Sequence, residues 1–236
     1  MTESFTVDHG PLNRTYKLRR GRITPGQRSA LGTLADRFAL PAGDAPLDLA
    51  ELFGQNAPVV LEIGFGMGDA TLAMAEADPS TCLIAADVHI PGVGALLRGL
   101  HRRTLENVRV LNGDGAELLK RRIPSASLAG VRLYFPDPWP KARHHKRRLV
   151  DAAFAALVAD RLAPGGRLHC ATDWEPYARQ MVAVLSAEPG LELEFGGPVE
   201  RPEWRPVTKY ETRGRARGHV VADIFARRKP GSVSGR

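Results

Sequence analysis

The chain has 236 residues, 43% hydrophobic and 25% charged, which suits one globular domain with short extensions and a sizeable core. No apolar run is long enough to span a bilayer, and Met1 to Asp8 lack the basic and apolar regions of a secretion signal; membrane and secreted classes are set aside and a cytoplasmic protein is expected. The net charge of +7 is segregated: residues 1–30, 141–148 and 199–236 carry +4, +5 and +6 while the rest carries −8, so the expected partner is polyanionic, nucleic acid first.

Residues 1–26 are polar, basic and turn-rich, ending in Thr24-Pro25-Gly26. Leu31, Leu34 and Phe38 share one face of a helix predicted over Gln27–Phe38, Pro41–Pro46 is a linker, and Leu47–Phe53 is a short helix. This divides the chain into a basic N-terminal extension and helix over 1–50, expected to contact RNA, a main domain over 51–229 and a flexible tail over 230–236. In the main domain, strand-like runs are Val59–Ile63, Cys82–Val88, Val108–Leu111, Val131–Phe135 and Arg167–Ala171, followed by two late strands, Leu191–Phe195 and Val220–Ala226. Helical stretches are Asp69–Ala77, Gly94–Arg103, Ala116–Arg122, His145–Leu162 and Glu175–Ala187. Cys82 and Cys170 lie inside strand-like runs and read as buried free thiols. Strand–helix alternation with short loops predicts an α/β fold, a mostly parallel sheet with helices on both faces. Ligands of such sheets bind outside the carboxyl ends of the strands, which directs attention to the loops there.

The first strand runs into Gly64-Phe65-Gly66-Met67-Gly68-Asp69. Glycines at 64, 66 and 68 allow a sharp turn and close approach of a ligand to the backbone. A dinucleotide fingerprint would need glycine or alanine where Asp69 stands, and an acid there would repel a pyrophosphate. A cofactor without phosphates fits better. Glu62 at the end of strand one, Asp87 at the end of strand two and Asp114 after strand three supply acceptors for an ammonium, a ribose diol and an adenine amine respectively. That set suits S-adenosyl-L-methionine.

Asp137 follows strand four inside Pro136-Asp-Pro-Trp-Pro-Lys-Ala-Arg-His-His-Lys-Arg-Arg148. Prolines frame it rigidly, and it faces the position of a transferable methyl, so it counts with both the catalytic and the cofactor-binding residues. If the methyl acceptor is a ring nitrogen such as guanine N7, its lone pair is already available and no general base is needed. A fixed carboxylate would instead orient the base and balance the charge that alkylation creates. Trp139 either stacks a base or packs the loop. Arg143, His144, His145, Lys146, Arg147 and Arg148 are RNA-binding candidates. With the last three in the first turn of the predicted helix, they oppose its dipole and would await phosphate. The two histidines lie beside solvent or phosphate, and no Cys/His set has zinc spacing, so no metal is expected. Asp173 is an N-cap, a substrate contact, or both. The Thr208-Lys209-Tyr210-Glu211 segment and the arginines after it read as a flexible basic stretch able to close over substrate.

Taken together, these motifs resemble the bacterial tRNA (guanine-N7-)-methyltransferase family over nearly the whole chain, from Arg14–Gln27 through Glu62–Gly68, Asp87–Gly94, Asp114 and Pro136–Arg148 to Thr172–Glu175 and Thr208–Glu211. The resemblance implies a Rossmann-like class I methyltransferase fold with a seven-stranded sheet. It implies cofactor binding by Glu62, Asp87 and Asp114, and Asp137 at the catalytic position. Substrate contacts are implied for Lys141, Asp173, Thr208, Lys209, Tyr210 and Glu211, with tRNA as partner and a variable-loop guanosine as target. One departure is Asp87, where the family usually carries glutamate; the shorter acid still accepts from a ribose. A methyltransferase acting on another RNA or a small molecule, and a non-catalytic RNA-binding protein, are the competing assignments. A small-molecule methyltransferase explains only the acid series, and a non-catalytic RNA-binding protein only the basic segments. Monomer and homodimer both remain open.

Overall fold

Val59–Ile63 is buried along its whole length, as expected of a central strand covered on both sides, and forms β1. In the computed structural model, which describes residues 15–17, 21–198 and 201–231, the remaining strands are β2 (Cys82–Asp87), β3 (Val108–Asn112), β4 (Leu128–Tyr134), β5 (Leu162–Thr172), β6 (Leu191–Pro198) and β7 (Ala222–Arg228). They comprise a seven-stranded mixed sheet in the order β3-β2-β1-β4-β5-β7-β6. The helices are α1 (Pro25–Thr33), α2 (Ala35–Phe38), α3 (Leu49–Phe53), α4 (Asp69–Ala77), α5 (Ile90–Arg103), α6 (Gly115–Arg121), α7 (Ala152–Arg161), α8 (Glu175–Ala187) and α9 (Lys209–Arg215). The described residues divide into two compact units, 21–123 and 124–231 with 15–17.

In the first unit, β1, β2 and β3 are parallel, with Ile63 opposite Ala86 and Asp87 opposite Asn112. This register puts the ends of the three strands on one edge. The strong amphipathic pattern of α5 buries Val93, Leu96, Leu97 and Leu100. Its start lies four residues before the predicted one, because Pro91 is preorganised for a first turn. The predicted helix Gln27–Phe38 also begins earlier and breaks at Leu34. Thr24 and Gln27 form a reciprocal capping box, so Thr24-Pro25-Gly26 opens a helix instead of closing a turn.

In the second unit, β4 and β5 are parallel and β7 runs antiparallel between β5 and β6. Tyr134 lies opposite Ala171, and the Phe135 amide donates to the Ala171 carbonyl at 2.7 Å. That pairing sets the exits of β4 and β5 side by side. Val131, Leu133, Leu168, Cys170, Met181 and Ile224 belong to the core. Both cysteines are buried free thiols; burial pushes the Cys170 thiol up to about 12, leaving it neutral and unreactive.

The predicted helix His145–Leu162 is not formed. Residues Ala142–Arg147 make a 3-10 helix, and α7 starts only at Ala152, where the Asp151 carboxylate accepts from the Phe154 amide at 2.9 Å. An acid is the favoured group at a helix N-terminus and a cation the disfavoured one, so α7 begins after the basic strip. The segment read as flexible around Thr208–Glu211 is also ordered, as α9 with Thr208 as its cap. Among the described residues no helix is long and apolar enough to cross a membrane, and no cluster of three His, Cys, Asp or Glu is arranged for a metal.

Candidate active site

Two sets of side chains stand at strand exits, one in each unit. In the first unit, Glu62 is buried on β1 and accepts a hydrogen bond from the Thr71 hydroxyl of α4 at 2.7 Å. The loop that follows holds Gly64 at φ +83° with no atom within 4 Å of where a Cβ would stand, so a ligand can meet the main chain there. Gly68, at φ +81°, caps α4, and a Cβ on it would lie 2.9 Å from Leu96. The glycines therefore serve approach at one position and packing at another.

Asp87 does more than the sequence suggested. Its Oδ2 accepts from the Gly66 amide at 2.6 Å and its Oδ1 from the His89 amide at 2.8 Å. The carboxylate thereby ties the glycine loop to the exit of β2. Burial raises its pKa above the usual aspartate value, against the pull of those two amides and of His89. Asp114 caps α6, accepting from the Ala116 amide at 2.8 Å and the Glu117 amide at 3.4 Å. Nearby, His89 Nδ1 and Asn112 Oδ1 are buried without a hydrogen-bond partner. Open space at Gly64, three acids on one edge and two orphaned polar atoms fit a cofactor rich in hydrogen-bonding groups and lacking phosphate.

In the second unit, Asp137 sits between two bulky residues in left-handed backbone, Phe135 at φ 53° and Trp139 at φ 45°. Such conformations cost about 1–3 kcal/mol each and persist only where the surroundings impose them. Here the constraint comes from the segment 15–17. The Lys17 amide donates to Asp137 Oδ2 at 2.7 Å, and Trp139 Nε1 donates to the Thr15 carbonyl at 2.9 Å. Lys17 Nζ and the Arg147 guanidinium each lie 5.0 Å from the Trp139 ring. Trp139 is only 7% exposed and packs the loop, which decides against base stacking.

The basic strip separates by exposure. Lys141, Arg143, His145 and Lys146 are exposed, His144 and Arg147 are half-buried, and Arg148 is 4% exposed. Arg148 donates to the Pro138 carbonyl at 2.9 Å and to Gln180 Oε1 at 2.7 Å, and lies over Tyr177. It is a strut under the Asp137 loop. His144 accepts from Arg143 Nε at 3.3 Å. Desolvation, then the cations Arg143, Arg147, Lys141 and Lys146, hold its pKa below the ordinary histidine value, so it is neutral at pH 7.

Asp173 does not cap α8; that position belongs to Trp174, which makes no side-chain cap. Instead Asp173 Oδ2 meets His219 Nδ1 at 3.1 Å, and Gly214 of α9 packs so closely that a Cβ there would lie 2.6 Å from the same oxygen. Lys209 and Tyr210 are exposed on α9, with the Tyr210 ring stacked 6.4 Å from Phe135. Thr208 Oγ1 accepts from the Glu211 amide at 3.1 Å. Glu211 points inward and is fully buried, its Oε2 2.7 Å from Arg205 and its Oε1 2.8 Å from Arg215. Asp137, Asp173 and α9 are thus brought together at one edge of the second unit. The Lys17 amide, His219 and Arg205 were not anticipated. Lys17 stands in the Arg14–Gln27 motif, but its meeting with Asp137, like those of His219 with Asp173 and Arg205 with Asp223, is a contact between distant segments that local spacing does not mark.

A family model described as "Putative methyltransferase" matches residues 56–224. Among curated proteins, the tRNA (guanine-N(7)-)-methyltransferase of Streptomyces coelicolor is 55% identical over 218 residues, 91% of this chain and 80% of that protein. That of Nitrosospira multiformis is 47% identical over 228 residues, 96% of this chain and 100% of that protein. Among solved structures, the 16S rRNA methyltransferase KamB superposes with a TM-score of 0.58 at 17% identity, covering 82% of this chain and 99% of its own. An antibiotic-related methyltransferase gives 0.55 at 17% identity, covering 80% and 94%. The two structures are alike in fold, a Rossmann-like class I methyltransferase.

Proposed function

The chain belongs to the tRNA (guanine-N(7)-)-methyltransferase family, and on that premise we propose how its own residues carry out methylation of guanine N7 in tRNA. The observation that carries this reading is identity of about half over more than nine-tenths of the chain to enzymes of that name. When bound, S-adenosyl-L-methionine supplies a methyl whose carbon–sulfur bond breaks as N7 forms its new carbon–nitrogen bond.

Glu62 accepts from the cofactor's ammonium, Asp87 from its ribose hydroxyls and Asp114 from its adenine amine, while Gly64, Gly66 and Gly68 let it meet the backbone. Asp87 has two tasks, since it also holds the loop at Gly66. Asp137 is the catalytic residue. Fixed by the Lys17 amide and by left-handed turns on either side, it orients the guanine and balances the positive charge that methylation creates. No proton has to be removed from N7, so no general base is needed there. Asp173, Lys141, Thr208, Lys209 and Tyr210 line the guanosine, and Glu211 supports that set from beneath. Lys141, Arg143, Lys146 and Arg147, with the histidines between them, contact phosphates of tRNA. Arg148 supports the loop from within.

The basic stretch over 1–50 serves as a second RNA contact beside the methyltransferase domain of 51–229, in a cytoplasmic enzyme. Residues 1–14 and 18–20 of that stretch, and 232–236 of the tail, lie outside the described residues. The test is transfer of labelled methyl to a tRNA with a variable-loop guanosine and to the same tRNA with adenosine there. Labelling of the first alone is expected; equal labelling of both removes the assignment of the target.

A further inference from the structure

Arg205 is fully buried, and the reaction as described makes no use of it. Its guanidinium meets three elements of the second unit. One nitrogen donates to Glu211 Oε2 on α9 at 2.7 Å, and another to Asp223 Oδ2 on β7 at 2.9 Å. Its Nε lies 2.8 Å from Asp223 Oδ1. The same group sits 5.9 Å from the rings of Tyr134 and Phe135, the two residues that lead from β4 towards Asp137. Asp223 is held in turn by His169 Nε2 at 2.6 Å, and His169 Nδ1 is 2.9 Å from the Tyr134 hydroxyl.

Apolar side chains would fill this space without the desolvation penalty of buried charges, so stability alone does not account for the arrangement. A guanidinium does something they cannot: its planar fork binds two carboxylates in fixed directions. Here those carboxylates belong to α9 and β7, while its face rests on the exit of β4. We propose that Arg205 is a positioning residue for methyl transfer, holding α9 in one register with the turn that carries Asp137. The proposal rests on the assignment of Asp137 and α9 to the guanosine site. Arg205 touches neither substrate nor cofactor and acts through Glu211 and Phe135. Its loss should therefore appear in turnover, because a misplacement of about 1 Å at a reacting centre lowers rate on the order of 10²-fold.

The experiment compares full-length Arg205→Met, Arg205→Lys and Asp137→Asn proteins on one tRNA. It reads kcat, KM for tRNA and affinity for S-adenosylhomocysteine. Arg205→Met is expected to lower kcat on the order of 10²-fold with cofactor-product affinity unchanged. Lysine, which keeps the charge and loses the fork, should restore part of the rate. A wild-type kcat in Arg205→Met beside an inactive Asp137→Asn overturns the positioning role and leaves the site assignment standing. Full activity in Asp137→Asn overturns the site assignment and this proposal with it. Turnover that falls only in step with the fraction able to bind S-adenosylhomocysteine shows general destabilisation and also overturns the proposal. If Arg205→Met does not fold, Glu211→Gln takes its place, and wild-type kcat in it and in Arg205→Lys is the contrary result.

Discussion

At the level of single residues, the two aspartates proposed for cofactor binding and catalysis are held by different means. Asp87 is occupied by the Gly66 and His89 amides and stabilises a loop shape as well as offering acceptors. Asp137 is aimed by the backbone amide of Lys17 and by strained backbone at Phe135 and Trp139. With the electrostatic task proposed for it, its removal should cost turnover more than binding. Asp137→Ala is expected to lower kcat roughly 10²-fold, the scale of losing one preorganised group at a developing charge, with tRNA affinity largely retained. Single-turnover methylation alongside a tRNA binding isotherm checks this; an unchanged rate takes Asp137 out of catalysis. The aspartates themselves were legible in the sequence because each follows a strand. Their partners were not, since Lys17 and Asp137 are 120 residues apart.

Among the secondary-structure elements, the loop after β4 departs furthest from what periodicity predicts. Periodicity from His145 onward matched a helix because Leu149, Val150, Phe154 and Val158 recur at suitable spacing. The helix begins later because Asp151 offers a cap and the cations before it oppose the dipole. Lys146, Arg147 and Arg148 therefore lie outside the first turn of α7 and do not burden it. A shorter 3-10 helix leaves Arg143 and Lys146 exposed and Arg147 half-buried, and turns Arg148 inward. The two arginines should then behave differently. Arg147→Ala should take roughly 0.7–0.9 from the slope of log affinity against log salt, as one lost phosphate contact does. Arg148→Ala should leave that slope alone and lower stability by about 2–3 kcal/mol, because buried hydrogen-bond partners of a charged group are left unsatisfied. Salt-titrated binding and chemical denaturation of both variants decide; equal slope changes would return Arg148 to the RNA-facing set.

For the molecule as a whole, acid sensitivity should come from the buried charges of the second unit. Desolvation lowers the His169 pKa, against the pull of Asp223. Its neutral ring is fully stabilising above the unfolded value of about 6.5, and that contribution is lost as pH falls from there through the folded value. Asp223 is desolvated too, yet His169 and Arg205 together hold it below its usual range. Its contribution is present above the unfolded aspartate value and lost as pH falls through the lower folded one. Both effects weaken the fold in acid, the histidine first. The melting temperature should decline below about pH 6.5, and His169→Gln should flatten that decline. His144 is also held low, but it is on the surface strip and is common to both proteins. An identical decline in the variant would place the sensitivity elsewhere.

The sequence by itself determined the α/β alternation, the strand exits, the acid series, the segregated charge and the family, because each is written in local periodicity, in spacing or in short motifs. Only the tertiary structure decided which charges face solvent and which act as struts. Arg148, Arg205 and Glu211 are as hydrophilic as their exposed neighbours, and a residue's type carries no record of its burial. It is the meeting of distant segments, α8 with the loop after β4 and β7 with Arg205, that supplies partners able to keep such charges from water. Another such meeting, of segment 15–17 with the same loop, fixes Asp137 in place.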